Sequence, residues 1–218
     1  MAFLEIKNIS KSYEMKDSSL LVIDNFSYTA EKGDLISLTG PSGAGKSTLL
    51  HMIGALDKPT KGNILFNGED LYSKKESELN LYRGKHMGFI FQFHYLLDDF
   101  SAIENIMMPM LINNTPKDKA YEKAIKLIES VGLLNRKDHF PNELSGGEQQ
   151  RIAVARALSM SPDIILADEP TGNLDKANSK EVLEILKKQA ENGVCVIIVT
   201  HDDFLASECK KHITMQKL

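Results

Sequence analysis

Apolar and polar positions interleave imperfectly over residues 3–9, where Leu4, Ile6 and Ile9 alternate with Phe3, Glu5 and Lys7, and this predicts a strand. Residues 20–30 predict a second one. Lys32-Gly33-Asp34 reads as a turn, and the mostly apolar LISLT run over residues 35–39 as a short strand. A glycine-rich loop follows at once, then a helical stretch from Lys46 to about Ala55. The NILFN run at 63–67 predicts another strand and Gly68-Glu69-Asp70 a turn; MGFIFQ at 87–92 is a short buried strand. From 98 to 160 the pattern turns helical. Within it Ala120, Ala124, Ile128 and Val131 fall near one helix face, with Gly132 placed as a C-terminal cap. Two apolar runs return at 163–167 (DIILA) and 194–200 (VCVIIVT), separated by one helix over about 178–192. That arrangement predicts a parallel, centrally buried sheet.

Composition narrows the class. With 218 residues, 42% hydrophobic and 26% charged, the chain has the balance of an ordinary globular protein able to bury a sizeable core. The net charge of −4 supplies no global basic field, so no nucleic-acid partner is expected. Cys195 and Cys209 lack metal-like spacing and are expected as reduced thiols. The N-terminal residues lack a signal-peptide pattern, and no apolar run approaches the roughly 18–20 residues of a membrane span, so any membrane role is expected to run through a partner or surface attachment.

The chemistry begins in the loop GPSGAGKST, residues Gly40, Pro41, Ser42, Gly43, Ala44, Gly45, Lys46, Ser47 and Thr48. It fits the phosphate-loop pattern at Gly40, Gly45, Lys46 and Ser47. Glycines let successive N–H groups turn inward as an anion nest, and a helix starting there adds about half a positive charge. Lys46 reaches the β- and γ-phosphates; Ser47 offers a hydroxyl to Mg²⁺. The loop alone leaves open which nucleotide is bound and where its phosphoryl group goes. A second element is the strand 164–167 running into Asp168-Glu169, which places carboxylates at a sheet's C-terminal edge. Asp168 suits Mg²⁺ through water and Glu169 suits polarising an attacking water. Alone, the same pair also fits a helix cap or an exposed turn.

The stretch LSGGEQQR, residues 144–151, resembles the signature of the ABC ATPase family. Ser145, Gly146, Gly147 and Glu148 open a helix there. The resemblance runs along nearly the whole chain and implies an α/β P-loop NTPase of ABC type: a RecA-like α/β core, an N-terminal antiparallel β subdomain and a helical subdomain at roughly 93–160, in one domain over 1–218. It also implies ATP and Mg²⁺ as ligands, and a homodimer in which each signature closes on the ATP held by the other subunit's phosphate loop. Tyr13 then matches the aromatic that stacks on adenine, and Gln92 the glutamine that senses Mg²⁺ and water and connects to the transport partner. Residues 172–175 (GNLD) match the loop lining the dimer interface, although Asp175 also fits a plain helix cap. His201 matches the histidine that contacts the γ-phosphate and supports Glu169. Many relatives end in a further hairpin, which the closing HITMQKL leaves in doubt.

Residues 88–109, GFIFQFHYLLDDFSAIENIMMP, together with LADEPTGNLD, resemble the lipoprotein-releasing branch of the family. Macrolide-type efflux ATPases and cell-division ATPases are the neighbouring alternatives, and a soluble ABC ATPase without transport is a more distant one. That branch implies integral-membrane permease partners and a peripheral place on the cytoplasmic face of a bacterial inner membrane. Phe93, Tyr95, Leu96, Leu97 and Phe100 supply large apolar groups there, of which an exposed subset is expected to dock on a permease.

Overall fold

The computed structural model describes residues 2–16 and 18–218; Met1, where the signal-peptide reading starts, and Asp17 lie outside the described residues. Two sheets organise the chain. In the first, β1 (Leu4–Glu14) pairs antiparallel with β2 (Ser19–Ala30) on one side and β4 (Lys61–Phe66) on the other, and β4 carries the two-residue β5 (Glu69–Asp70). The imperfect alternation in β1 has a local cause. Its register shifts between Ile6 and Ile9, and Asn8 takes a left-handed φ of 49°. Lys7 and Asn8 both face solvent at this bulge, which returns Ile9 and Lys11 to the buried face. Glu69 and Asp70, expected as part of a turn, instead pair with Phe66 and Leu65, so the turn is confined to Asn67-Gly68.

The second sheet is wholly parallel, in the order β6 (Met87–Phe91), β7 (Ile164–Asp168), β8 (Cys195–Val199), β3 (Leu35–Thr39) and β9 (Lys211–Thr214). Every residue of β8 is buried, because apolar groups cover both faces. One face packs against α1 (Lys46–Ile53) and the antiparallel sheet; the other packs against α5 (Gly146–Leu158) and α6 (Lys176–Glu191). A third apolar cluster joins α3 (Ala102–Ile112), α4 (Lys117–Ser130) and α5, and it contains Ala120, Ala124, Ile128 and Val131 as their spacing predicts. Gly132 follows α4 with a φ of 75°.

Three features depart from the sequence reading. Helix α2 (Glu76–His86) buries only Leu79 and so carries almost no apolar stripe. A short α7 (Asp203–Ser207) follows His201. The closing segment supplies β9, which runs parallel to β3 with Ile36 opposite Lys211 and Thr39 opposite Thr214. Among the described residues, no helix is long and apolar enough to cross a membrane.

Candidate active site

The parallel sheet delivers its functional residues to one edge, because β3, β7 and β8 all end there. The phosphate loop leaves β3 and enters α1, whose first turn holds no acidic residue, so its positive end is left to the loop. Gly40 has a φ of 141°, and a Cβ there would lie 2.4 Å from the Met215 carbonyl oxygen just past β9. At Gly45, φ is 85° and a Cβ would meet Val22 Cγ1 at 2.9 Å. Only glycine fits these two corners. The Lys46 ammonium lies back over the loop and donates to the carbonyls of Gly40 (2.8 Å) and Pro41 (3.0 Å).

A cleft of about 420 Å³ opens above the loop, lined by Ser42, Gly43, Gly45, Lys46, Ser47 and Thr48, by Tyr13, Leu20 and Val22 from the antiparallel sheet, and by Asp168 and Glu169. Burial raises the Asp168 carboxyl above the ordinary aspartate range, while the Ser47 hydroxyl, His51 and Lys46 pull it back. The oxygens of Ser47 and Asp168, next to a phosphate nest, fit the hard donor set that Mg²⁺ prefers. Glu169 adopts a left-handed φ of 48° and donates its N–H to the Val199 carbonyl at 2.9 Å. That turn aims its carboxylate across the sheet edge at His201, whose Nδ1 lies 2.9 Å from Glu169 Oε2. The backbone strain of such a residue, of order 1–3 kcal/mol, is held in place by the sheet and by this pair. Hydrogen bonding to Glu169, then its charge, raises the His201 pKa above the usual histidine value.

The remaining residues sort differently. Tyr13 reaches the cleft. Gln92 leaves β6 toward residues 172–173: its Nε2 donates to Asn173 Oδ1 at 3.3 Å, and Asn173 returns a bond of 3.4 Å to the Gln92 carbonyl. It does not line the cleft. Asp175 caps α6 by accepting from the Asn178 N–H at 2.9 Å. Ser145 caps α5 in a reciprocal box with Glu148, as the S-x-x-E spacing allows. Backbone and hydroxyl bonds from Ser145, offset in part by burial, and then Arg136 at 3.1 Å hold the Glu148 carboxyl below the usual range. None of residues 145–148 lines the cleft of its own chain.

Two residues on α5 have roles that the motifs do not assign, Gln150 inside the LSGGEQQR stretch and Arg156 beyond it. Gln150 is buried and donates to the Pro170 carbonyl at 2.7 Å and the Phe91 carbonyl at 3.4 Å, bridging the ends of β6 and β7. Arg156 donates to the carbonyls of His94 (2.8 Å) and Tyr95 (2.5 Å) and so clamps the segment after Gln92, where Tyr95 has a left-handed φ of 46°. Nothing local in the sequence marks either, since both partners lie some 20 to 60 positions away.

A parallel sheet with a phosphate loop, an acid pair and a histidine on one edge, plus a second capped helix start outside the cleft, defines a nucleotide-hydrolysing cassette. The chain belongs to the ABC transporter family, whose profile matches residues 23–172. It is 47% identical over 207 residues to the lipoprotein-releasing system ATP-binding protein LolD of Geobacter metallireducens, covering 94% of this chain and 92% of that one. To the LolD protein of Myxococcus xanthus it is 43% identical, covering 99% and 96%. Its fold is similar to that of the ATP-binding cassette MJ0796 in a dimeric post-hydrolysis state bound to ADP and Pi, with a TM-score of 0.90 and 34% identity over 98% of this chain and 96% of that one. The chain is thus an ATP-hydrolysing subunit that uses ATP with Mg²⁺.

Proposed function

We propose that this chain drives a permease that releases lipoproteins from the inner membrane, working from the cytoplasmic face as a dimer around two ATP molecules. The observation that carries the reading is likeness along 94% or more of the chain to lipoprotein-releasing ATPases, at 43–47% identity. These relatives favour lipoprotein release over the efflux and cell-division alternatives.

In this reading Tyr13 carries the adenine and residues 40–48 cradle the phosphates, with Lys46 swinging from the loop carbonyls to the γ-phosphate. Ser47 and Asp168 would hold Mg²⁺, which would offset charge on the phosphates, and Gln92 would join them by leaving Asn173 for the cleft. Glu169 accepts a proton from the attacking water, and His201 fixes the Glu169 carboxylate through their 2.9 Å contact. Ser145, Gly146, Gly147 and Glu148 meet the ATP of the second copy, a role consistent with none of them lining the cleft of its own chain. Driving the pair from 1:99 open to 99:1 closed takes about 5.5 kcal/mol of differential binding, which two shared γ-phosphates supply.

The aromatic segment after Gln92 serves the permease. Phe93 and Tyr95 are each 64% exposed, and Leu97 and Phe100 are also exposed, whereas Leu96 packs onto the helical core. Because Gln92 is tied to Asn173 and Arg156 clamps residues 94–95, a shift at this surface reaches the residues beside Glu169. Co-purification from detergent-solubilised membranes tests the assignment. A lipoprotein-releasing permease is the expected partner; an unrelated permease would overturn the cargo while leaving the ATPase reading intact.

A further inference from the structure

The wall of the cleft contains a charged cluster that no sequence motif marks. Lys11, on β1, is 8% exposed, and its ammonium meets Asp57 Oδ1 at 2.5 Å and the Lys58 carbonyl at 2.8 Å. The other oxygen of the same carboxylate, Asp57 Oδ2, accepts from the Tyr13 hydroxyl at 2.7 Å. The Lys11 ammonium also stands over the Tyr13 ring, 4.7 Å from its centroid. Three side chains thus close a triangle, which holds Tyr13 at its hydroxyl, where the Thr48 side chain of the phosphate loop also meets it, and on one ring face.

The triangle is fixed from outside. The Asp57 main chain receives the Tyr72 hydroxyl, which also lies 2.7 Å from the Met52 carbonyl at the end of α1. Next to it, Thr60 Oγ1 accepts from the Ser12 N–H at 3.0 Å, binding the 57–60 segment to β1. Tyr13 itself is 41% exposed. An exposed tyrosine loses rotamer freedom when a ligand stacks on it, and that loss subtracts from affinity unless it has been met in advance. A cation on one ring face is favourable for the ring and leaves only the other face for a base. Leu20 and Val22 line the same cleft as Tyr13 and supply apolar wall beside the phosphate loop.

We propose that Asp57 and Lys11 are positioning residues for the purine base: they hold the Tyr13 ring at one angle with one face presented, so that the base of ATP docks on a preset platform. The proposal rests on Tyr13 carrying the adenine. It concerns the base alone, because neither residue lines the phosphate-binding part of the cleft.

The test compares Mg-ATP with Mg-tripolyphosphate, which keeps the phosphates and lacks the base, by calorimetric titration of the full chain. Tyr13→Ala measures the platform itself and is expected to weaken ATP at least about tenfold with tripolyphosphate unchanged. Asp57→Asn is expected to weaken ATP about three- to fivefold, again with tripolyphosphate unchanged. Because that variant strips the buried Lys11 ammonium of its counter-charge, Tyr13→Phe repeats the test without disturbing the ion pair, and the same ATP-selective loss is expected. In the Tyr13→Ala background Asp57→Asn should then add nothing. Equal weakening of ATP and tripolyphosphate by Asp57→Asn and Tyr13→Phe, or no weakening by either, would overturn the positioning role while leaving Tyr13 as the platform. Wild-type ATP binding by Tyr13→Ala would overturn both.

Discussion

Gly147 in the signature offers a prediction whose size follows from the packing. A Cβ at this position would lie 2.2 Å from Asn178 Oδ1, 2.4 Å from Cγ and 2.9 Å from Nδ2. Asn178 cannot simply swing away. Its amide donates to Asp175 Oδ2 at 2.9 Å, and its oxygen accepts from Arg151 at 2.8 Å. Gly147→Ala therefore forces either a helix shift between α5 and α6 or loss of both bonds. Overpacking of this kind costs about 1–3 kcal/mol, and the lost charge-assisted bond adds about 1 kcal/mol or more, for a total of about 2–4 kcal/mol. For a chain of this length that corresponds to a fall in melting temperature of about 5–15 °C. The internal control is Gly146→Ala, one residue earlier, where a Cβ meets nothing within 4 Å. Thermal unfolding by circular dichroism should leave Gly146→Ala within about 2 °C of the parent. Adding Asn178→Ala to Gly147→Ala should cost less than the two single changes summed, since the clash is then gone. Equal melting temperatures for the two alanine variants would refute the steric argument.

Other outcomes follow from the same geometry. Lys46→Ala should lower the turnover rate at least about 10²-fold, measured by phosphate release, because it removes the charge placed for the γ-phosphate. The His201 pKa is raised by Glu169, so the pairing contributes fully below the ordinary histidine value and is lost as pH climbs through the raised one. An NMR titration should find His201 deprotonating later than a free histidine, and Glu169→Gln should bring it back toward about 6.5. Arg156→Ala should free the 94–95 backbone, seen as faster amide exchange over residues 92–97 with little change in the phosphate loop.

What the sequence discloses about this molecule is what is contiguous in it. The phosphate loop, the acid pair after β7 and the Ser145–Glu148 cap each lie within one short window, so spacing alone reveals them. So do β7 and β8, whose unbroken apolar runs follow from burial on both faces. The hidden parts are pairwise and distant: Tyr13 with Asp57 is 44 positions apart, Gln92 with Asn173 is 81, and Arg156 with His94 is 62. Helix α2 is hidden for another reason. With Leu79 its only buried residue, it has no apolar stripe for periodicity to find. In β1 the bulge at Asn8 breaks the period-two pattern that would have extended the strand to Glu14. Asp175 shows the limit of motif matching, since what it does here is ordinary helix capping on α6.

The central claim is that Glu169, held by His201, activates water for ATP hydrolysis within a dimer of this chain. Glu169→Gln keeps the size of the side chain and removes its basicity. Sedimentation of the purified variant with Mg-ATP, together with a phosphate-release assay on the same sample, tests the claim most directly. The account predicts a stable ATP-bound dimer and turnover reduced at least about 10²-fold. A variant that hydrolyses ATP at the parental rate, or that stays monomeric at saturating ATP, would contradict it.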